Sequence, residues 1–131
     1  MPFILIATVI LVMSSGLALA EHLAGSEWRP LQIGHVSLPA NTRLYVQFKS
    51  QGRIAGFSGC NYFFGTYKVT AEKKLTLSVV DVKCDRANTD LEIAFLNMLR
   101  SVVSFDRHRV VLRLFNQEDR QIAVLAQTDW D

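Results

Sequence analysis

The stretch Gly56-Phe57-Ser58-Gly59-Cys60-Asn61-Tyr62-Phe63-Phe64-Gly65-Thr66-Tyr67 decides the fold. Its twelve residues hold three glycines, one cysteine, one asparagine and five aromatic side chains. Glycine supplies backbone angles that a side chain forbids, or lets two backbones approach closely. Aromatic rings supply large buried area. Together they predict a strand, a tight kinked connection at Cys60-Asn61, and a second strand sealed by rings. Gly56, Gly59, Gly65 and Tyr67 are therefore read as structural residues. Asn61 is read as a turn clamp, because Asn tolerates left-handed angles and can tie its side chain back to the main chain. Ligand contact by Asn61 is the competing reading.

The flanking sequence supports a sheet. From Arg43 to Lys49, Leu44, Val46 and Phe48 alternate with polar residues and Tyr45, and Ser50-Gln51-Gly52-Arg53 reads as a hairpin turn. After the connection, Phe63, Gly65, Tyr67 and Val69 share one face of a strand, while Tyr62, Phe64, Thr66 and Lys68 share the other. Leu75, Leu77 and Val79 continue the alternation. Upstream, Trp28 reads as a core plug on the first strand, and Pro30 as an edge position or an early bend.

The period then changes. Thr89-Asp90-Leu91-Glu92 forms a capping box, followed by Leu91, Phe95, Met98, Leu99 and Val102 at helical spacing. One amphipathic helix to about Ser101 is expected, lying on a concave sheet. Two further strands, from Val110 to Phe115 and from Gln121 to Ala126, finish the chain. The fold class is mainly β (α+β): a single curved antiparallel sheet or half-open barrel with one amphipathic helix packed against it.

Pro2 to Val12 is apolar apart from Thr8 and leads through Ser14-Ser15-Gly16 to Ala18-Leu19-Ala20. This is the pattern of a signal peptide over residues 1–20, with the domain at 21–131. A retained membrane anchor is the alternative, since the run nearly reaches spanning length. No cysteine follows Ala20, so a lipid anchor is not expected. The protein is expected in the periplasm or secreted, touching the membrane only through its transient signal. The net charge of +2 comes from interspersed residues. It lacks the basic stripe of a nucleic-acid binder, and no nucleic-acid partner is expected.

Cys60 and Cys84 form an even pair in an exported chain, which suggests a disulfide. Such a bridge would close a loop worth roughly 3 kcal/mol in the chain-entropy treatment. Two buried thiols, or half of a metal site, are the other readings. No catalytic constellation emerges: His22, His35 and His108 are scattered, and no Gly-x-Ser-x-Gly elbow occurs. Asp81 and Asp85 flank Cys84 and read as a solvated loop rather than an acid pair. No catalytic residue, metal or cofactor is assigned.

The chain resembles the META domain family, which includes the HslJ heat-shock proteins of bacterial envelopes. The resemblance runs through Leu23-Ala24-Gly25-Ser26-Glu27-Trp28, Gly56-Phe57-Ser58-Gly59-Cys60-Asn61, Phe64-Gly65-Thr66-Tyr67, Val82-Lys83-Cys84 and Leu91 to Leu96. The final turn, Glu118-Asp119-Arg120, lacks the glycine usual there, and the segment before Cys84 lacks the family's Thr and Met. The resemblance implies a curved barrel-like sheet with one helix, and a role in envelope stress, antibiotic tolerance or virulence-related secretion. It implies no catalytic activity. The expected function is a monomeric, stress-linked or assembly-assisting protein that binds an envelope protein. A lipocalin-like carrier of a small apolar ligand is the alternative. Tyr62, Phe63 and Phe64 are the candidate contacts for either partner; the outward Tyr62 or Phe64 is the expected docking point.

Overall fold

The computed structural model describes residues 23–70, 73–81 and 89–129. The expected signal segment, Cys84 and Asp85 lie outside them. Nine strands and one α-helix are described, with a single 3-10 turn at Ser50–Gly52 between the third and fourth strands. They are β1 (Ser26–Ile33), β2 (Val36–Ser37), β3 (Tyr45–Phe48), β4 (Arg53–Phe57), β5 (Tyr62–Thr70), β6 (Lys74–Asp81), α1 (Asp90–Ser101), β7 (Ser104–His108), β8 (Val111–Phe115) and β9 (Gln121–Thr128). Every pairing is antiparallel and joins neighbours, apart from β1, which skips the short β2 to pair with β3 and also pairs with β9. That last ladder closes the sheet into an eight-stranded barrel, with β2 an appendage of β1. The expected curved antiparallel sheet with one helix is what the structure has, rolled into a closed barrel.

The alternation read from sequence is the inside–outside alternation of the wall. Val46, Phe48, Ile54, Phe63, Leu75 and Leu77 point inward and are buried. Pro30 falls where β1 has left β3, whose ladder ends at Trp28 and Val46. The register with β9 shifts between Pro30 and Gln32, so the proline marks a bend.

Two strands escaped the sequence reading. The pair β2 has only two residues. Within β7, Ser-Phe-Asp-Arg-His offers one strongly apolar residue, Phe105, so no alternation betrays it. Val110, read as the start of β8, lies in the preceding turn and is exposed. The last hairpin does without glycine because Asp119 itself takes a left-handed φ of 60°. The Asn116 side-chain oxygen accepts from the backbone N–H groups of Glu118 and Arg120, both at 3.0 Å, and holds the turn.

The helix begins as the capping box predicts. The Thr89 hydroxyl accepts the Glu92 N–H at 3.2 Å, acidic residues occupy the first turn and Arg100 the last. Its buried stripe, however, is Glu92, Phe95, Leu96, Met98 and Leu99. Leu91, placed on that stripe from sequence, sits at its exposed margin. The apolar face is rotated by one residue, and an acid is carried inside with it.

Register shows what the helix does. The strands β6 and β7 are joined at one ladder pair, Lys74 with Ser104, extended by a Leu75 N–H to Val103 carbonyl bond of 3.0 Å. Beyond it β6 has no strand on that edge among the described residues. The helix packs against β6 and β1 there, with the Phe95 ring meeting Phe63 at 6.0 Å. At the other mouth Trp28 is fully buried, its indole N–H donating to the Ser26 hydroxyl at 2.7 Å. The Arg107 guanidinium lies 5.0 Å from the Trp28 ring centre and donates to Gln127 at 2.9 Å. Burial lowers the guanidinium's pKa. Tyr67 stands edge-on to Phe48 at 5.0 Å, and its hydroxyl donates to the Lys49 carbonyl at 3.1 Å. Burial raises its phenol. Between the two mouths the described core residues form one continuous cluster. Each large member contributes about 1.5–3 kcal/mol by leaving water.

Candidate functional site on the outer wall

The kinked connection places the site. The Ser58 N–H and hydroxyl both reach the Asn61 carbonyl at 3.1 Å, which closes the turn between β4 and β5. Gly59 there has φ of 106°, a backbone that a side chain strains. A Cβ on Gly59 would sit 3.0 Å from Cγ of Glu92 and 3.2 Å from the Leu44 side chain. Cys60 and Asn61 are half-buried in the same corner. The expected bridge from Cys60 has its other end, Cys84, outside the described residues.

Glu92 is the residue that sequence reading placed differently. It was assigned only a cap role, yet it is 4 % exposed and packs against the Gly59 corner. The signal was present: 92, 95, 96 and 99 share the i, i+3, i+4, i+7 spacing of one helix face. Moving the stripe by one residue would have exposed it.

The corner sets the phase of β5. Phe63 turns inward, is 1 % exposed and packs in the core, so of the three candidate contacts Tyr62 and Phe64 are the ones that face solvent. Gly56, on β4, pairs with Phe63, whose ring occupies the space a Cβ of Gly56 would need. Tyr62 and Phe64 face outward as parity requires, 66 % and 56 % exposed. Gly65 lets β5 and β6 approach, for its Cβ would stand 1.8 Å from the Ser78 carbonyl oxygen.

Register arranges the outward side chains in rows across β3 to β6. One row is Tyr45, Phe57 and Tyr62; the next is Gln47, Ala55, Phe64 and Val80. The Phe57 and Tyr62 rings lie 5.1 Å apart, and the Arg43 guanidinium sits 5.4 Å from the Phe57 ring centre. Burial first, then the nearby Tyr62 and Glu27, raises the Tyr45 phenol. Below these come Arg53, Thr66 and Ser78, then Lys68 and Thr76, then Thr70 and Lys74. The wall thus passes from aromatic, through hydroxyl, to cationic. A groove of about 430 Å³ opens at the hydroxyl and cationic rows, lined by Gln51, Thr66, Lys68, Thr76 and Ser78 among others. A second cleft, about 330 Å³ and chiefly apolar, lies between α1 and the β1–β2 hairpin at Ile33, Val36, Leu91 and Ala94.

Among the described residues no cluster of three or more His, Cys, Asp or Glu side chains is placed to hold a metal ion. His35 and His108 are exposed and lie on separate hairpins.

Comparison with known proteins agrees with this architecture. A Bacteroides vulgatus protein of the DUF4847 family shares 14 % identity at a TM-score of 0.69, over 86 % of this chain and 99 % of that one. A Burkholderia xenovorans protein solved by NMR shares 16 % identity at a TM-score of 0.60, over 99 % and 100 % of the two chains. A further NMR structure shares 20 % identity at 0.59, over 81 % and 92 %. At such identities these likenesses concern the fold alone. No curated protein matches the chain. The family model of the META domain matches residues 21–129, which includes every strand, the helix and the glycine corner: the chain belongs to the META domain family.

Proposed function

We propose that this chain is an exported, non-enzymatic META-domain protein of the cell envelope that assists assembly or stress tolerance by binding a partner protein on the outer wall of β3–β6. One observation carries the reading: Tyr62, Phe64 and Val80, at 66, 56 and 50 % exposure, stand together beside Phe57 on a rigid ladder. Contiguous exposed apolar groups of this kind mark interaction surfaces, and aromatic residues are enriched at interface centres. Membership of the family and the signal-like residues 1–20 support an envelope setting. The side-chain packing inside the barrel favours the protein-binding reading over the lipocalin-like carrier.

The test is photo-crosslinking in the expressing cell from a crosslinkable residue at Tyr62 or at Phe64. A discrete adduct from these positions, absent from the opposite wall at Val124, is expected. Equal, diffuse labelling from both walls would defeat the reading. The same preparation tests the sulfurs: we expect Cys60 and Cys84 to be bridged, so that alkylation adds mass only after reduction.

A further inference from the structure

The gradient along the outer wall says more about the partner than its aromatic end does. Arg53, Lys68 and Lys74 are exposed on outward positions of β4, β5 and β6. None of them pairs with a carboxylate among the described residues, where Lys73 with Asp106 is the ion pair. The described outward positions of β4, β5 and β6 carry no acid at all. Resting on the partner-binding reading above, we propose that this wall receives an extended acidic segment of a partner protein. Its apolar side chains lie on Phe57, Tyr62, Phe64 and Val80, and its carboxylates reach Arg53, Lys68 and Lys74.

Three features fix that chemistry. Charge complementarity favours an anionic partner, since unpaired cations of one sign repel a basic surface and gain no attraction from a neutral one. Distance demands an elongated one. Phe64 and Lys68 are four residues apart on one strand, about 13 Å at the usual rise, which matches about four residues of an extended chain laid parallel to β5. The hydroxyls of Thr66, Thr76 and Ser78, in the groove between the two ends, supply donors and acceptors for that segment's backbone. Edge addition to β4 or β5 is excluded, because both have their edges filled by neighbouring strands, so the segment must bind face-on through side chains. An anionic bilayer would draw the same cations, and vesicles are therefore one arm of the test.

The test uses isotope-labelled protein expressed from the full sequence, titrated with a synthetic peptide. The probe carries a Leu-Val-Leu anchor, four Ser or Thr residues, and three Glu. A control peptide carries Lys in place of Glu. Amide shifts at Tyr62, Phe64, Thr66, Lys68, Thr76 and Ser78 with the Glu peptide alone are expected, weakening with salt. Lys68→Glu with Lys74→Glu, and separately Phe64→Ser, are each expected to raise the Kd about tenfold or more. All three positions are exposed, so the variants keep the fold, which their unperturbed remaining amides verify. No binding, equal binding of both peptides, or shifts confined to another wall overturns the proposal. So does stronger binding to phosphatidylglycerol vesicles than to the Glu peptide. Crosslinks from Phe64 that survive the two Lys-to-Glu changes would overturn the acidic partner while leaving partner binding intact; absence of any crosslink would remove partner binding itself.

Discussion

The two edges of β6 are built on opposite terms. Toward β5 it makes eight consecutive ladder pairs, from Phe63 with Asp81 to Thr70 with Lys74. Toward β7 it makes one, and α1 takes the place of the missing ladder. Hydrogen bonds with fixed register hold the first edge, and non-directional apolar packing holds the second. A barrel can therefore close over a seam of a single ladder pair, provided an amphipathic helix supplies the apolar surface that the rest of the seam would expose. The same difference explains where the outer wall can serve as a platform: β4–β6 is cross-braced on both sides of β5, whereas the seam is not.

Damage to the helix side should cost most. Phe95 is fully buried against Phe63, so Phe95→Ala removes a ring from the packing that seals the seam, at a cost of about 4 kcal/mol. Chemical denaturation checks this; a loss under about 1 kcal/mol would show that the helix does not hold the seam. On the ladder side, Gly65→Ala drives a methyl into the Ser78 carbonyl and should cost about 3 kcal/mol by forcing β5 and β6 apart. Denaturation would again measure it, and unchanged stability would mean that the close approach is dispensable.

The smallest effect concerns a charged tie across the seam. Lys73 and Asp106 meet at 2.9 Å where β6 and β7 part, both half-exposed. The hydrogen bond from Lys73, opposed by burial and helped by the Lys73 charge, holds the Asp106 carboxyl below its ordinary value of 3.8. A carboxylate depressed in the folded state contributes stability above its unfolded value and loses it as pH falls through the folded one. Asp106→Asn should therefore cost about 0.5 kcal/mol or less at neutral pH, where solvent screens the pair. The variant should also lose less than wild type on acidification below about pH 4. Parallel pH curves for the two proteins would contradict that role.

Legibility in the sequence followed the physics of each element. Strands with one wet and one dry face announce themselves by parity, so the sequence alone puts Tyr62 and Phe64 on the outward face and Leu44, Val46 and Phe48 together on the other face of a half-buried strand. The glycine corner was equally legible, because few residues tolerate the angles that Gly59 adopts. Barrel closure was not, since the β1–β9 ladder pairs residues about a hundred positions apart and leaves no local mark. Nor was β7, whose single apolar residue carries no period. Glu92 was hidden by the assumption that a first-turn acid stays wet. The cationic rows of the outer wall needed register, because Arg53, Lys68 and Lys74 are scattered in sequence and gathered only by pairing.

Amide hydrogen exchange along β6 tests the central claim most directly. Leu75 points its N–H at β7, so Leu77 and Val79 point theirs into the seam, while Thr76, Ser78 and Val80 point theirs at β5. The account predicts alternation: Thr76, Ser78 and Val80 exchange only with global unfolding, whereas Leu77 and Val79 exchange far faster through local opening. Uniform slow exchange along the whole strand would contradict it, by showing that β6 is hydrogen-bonded on both edges and that the helix is not what closes the barrel.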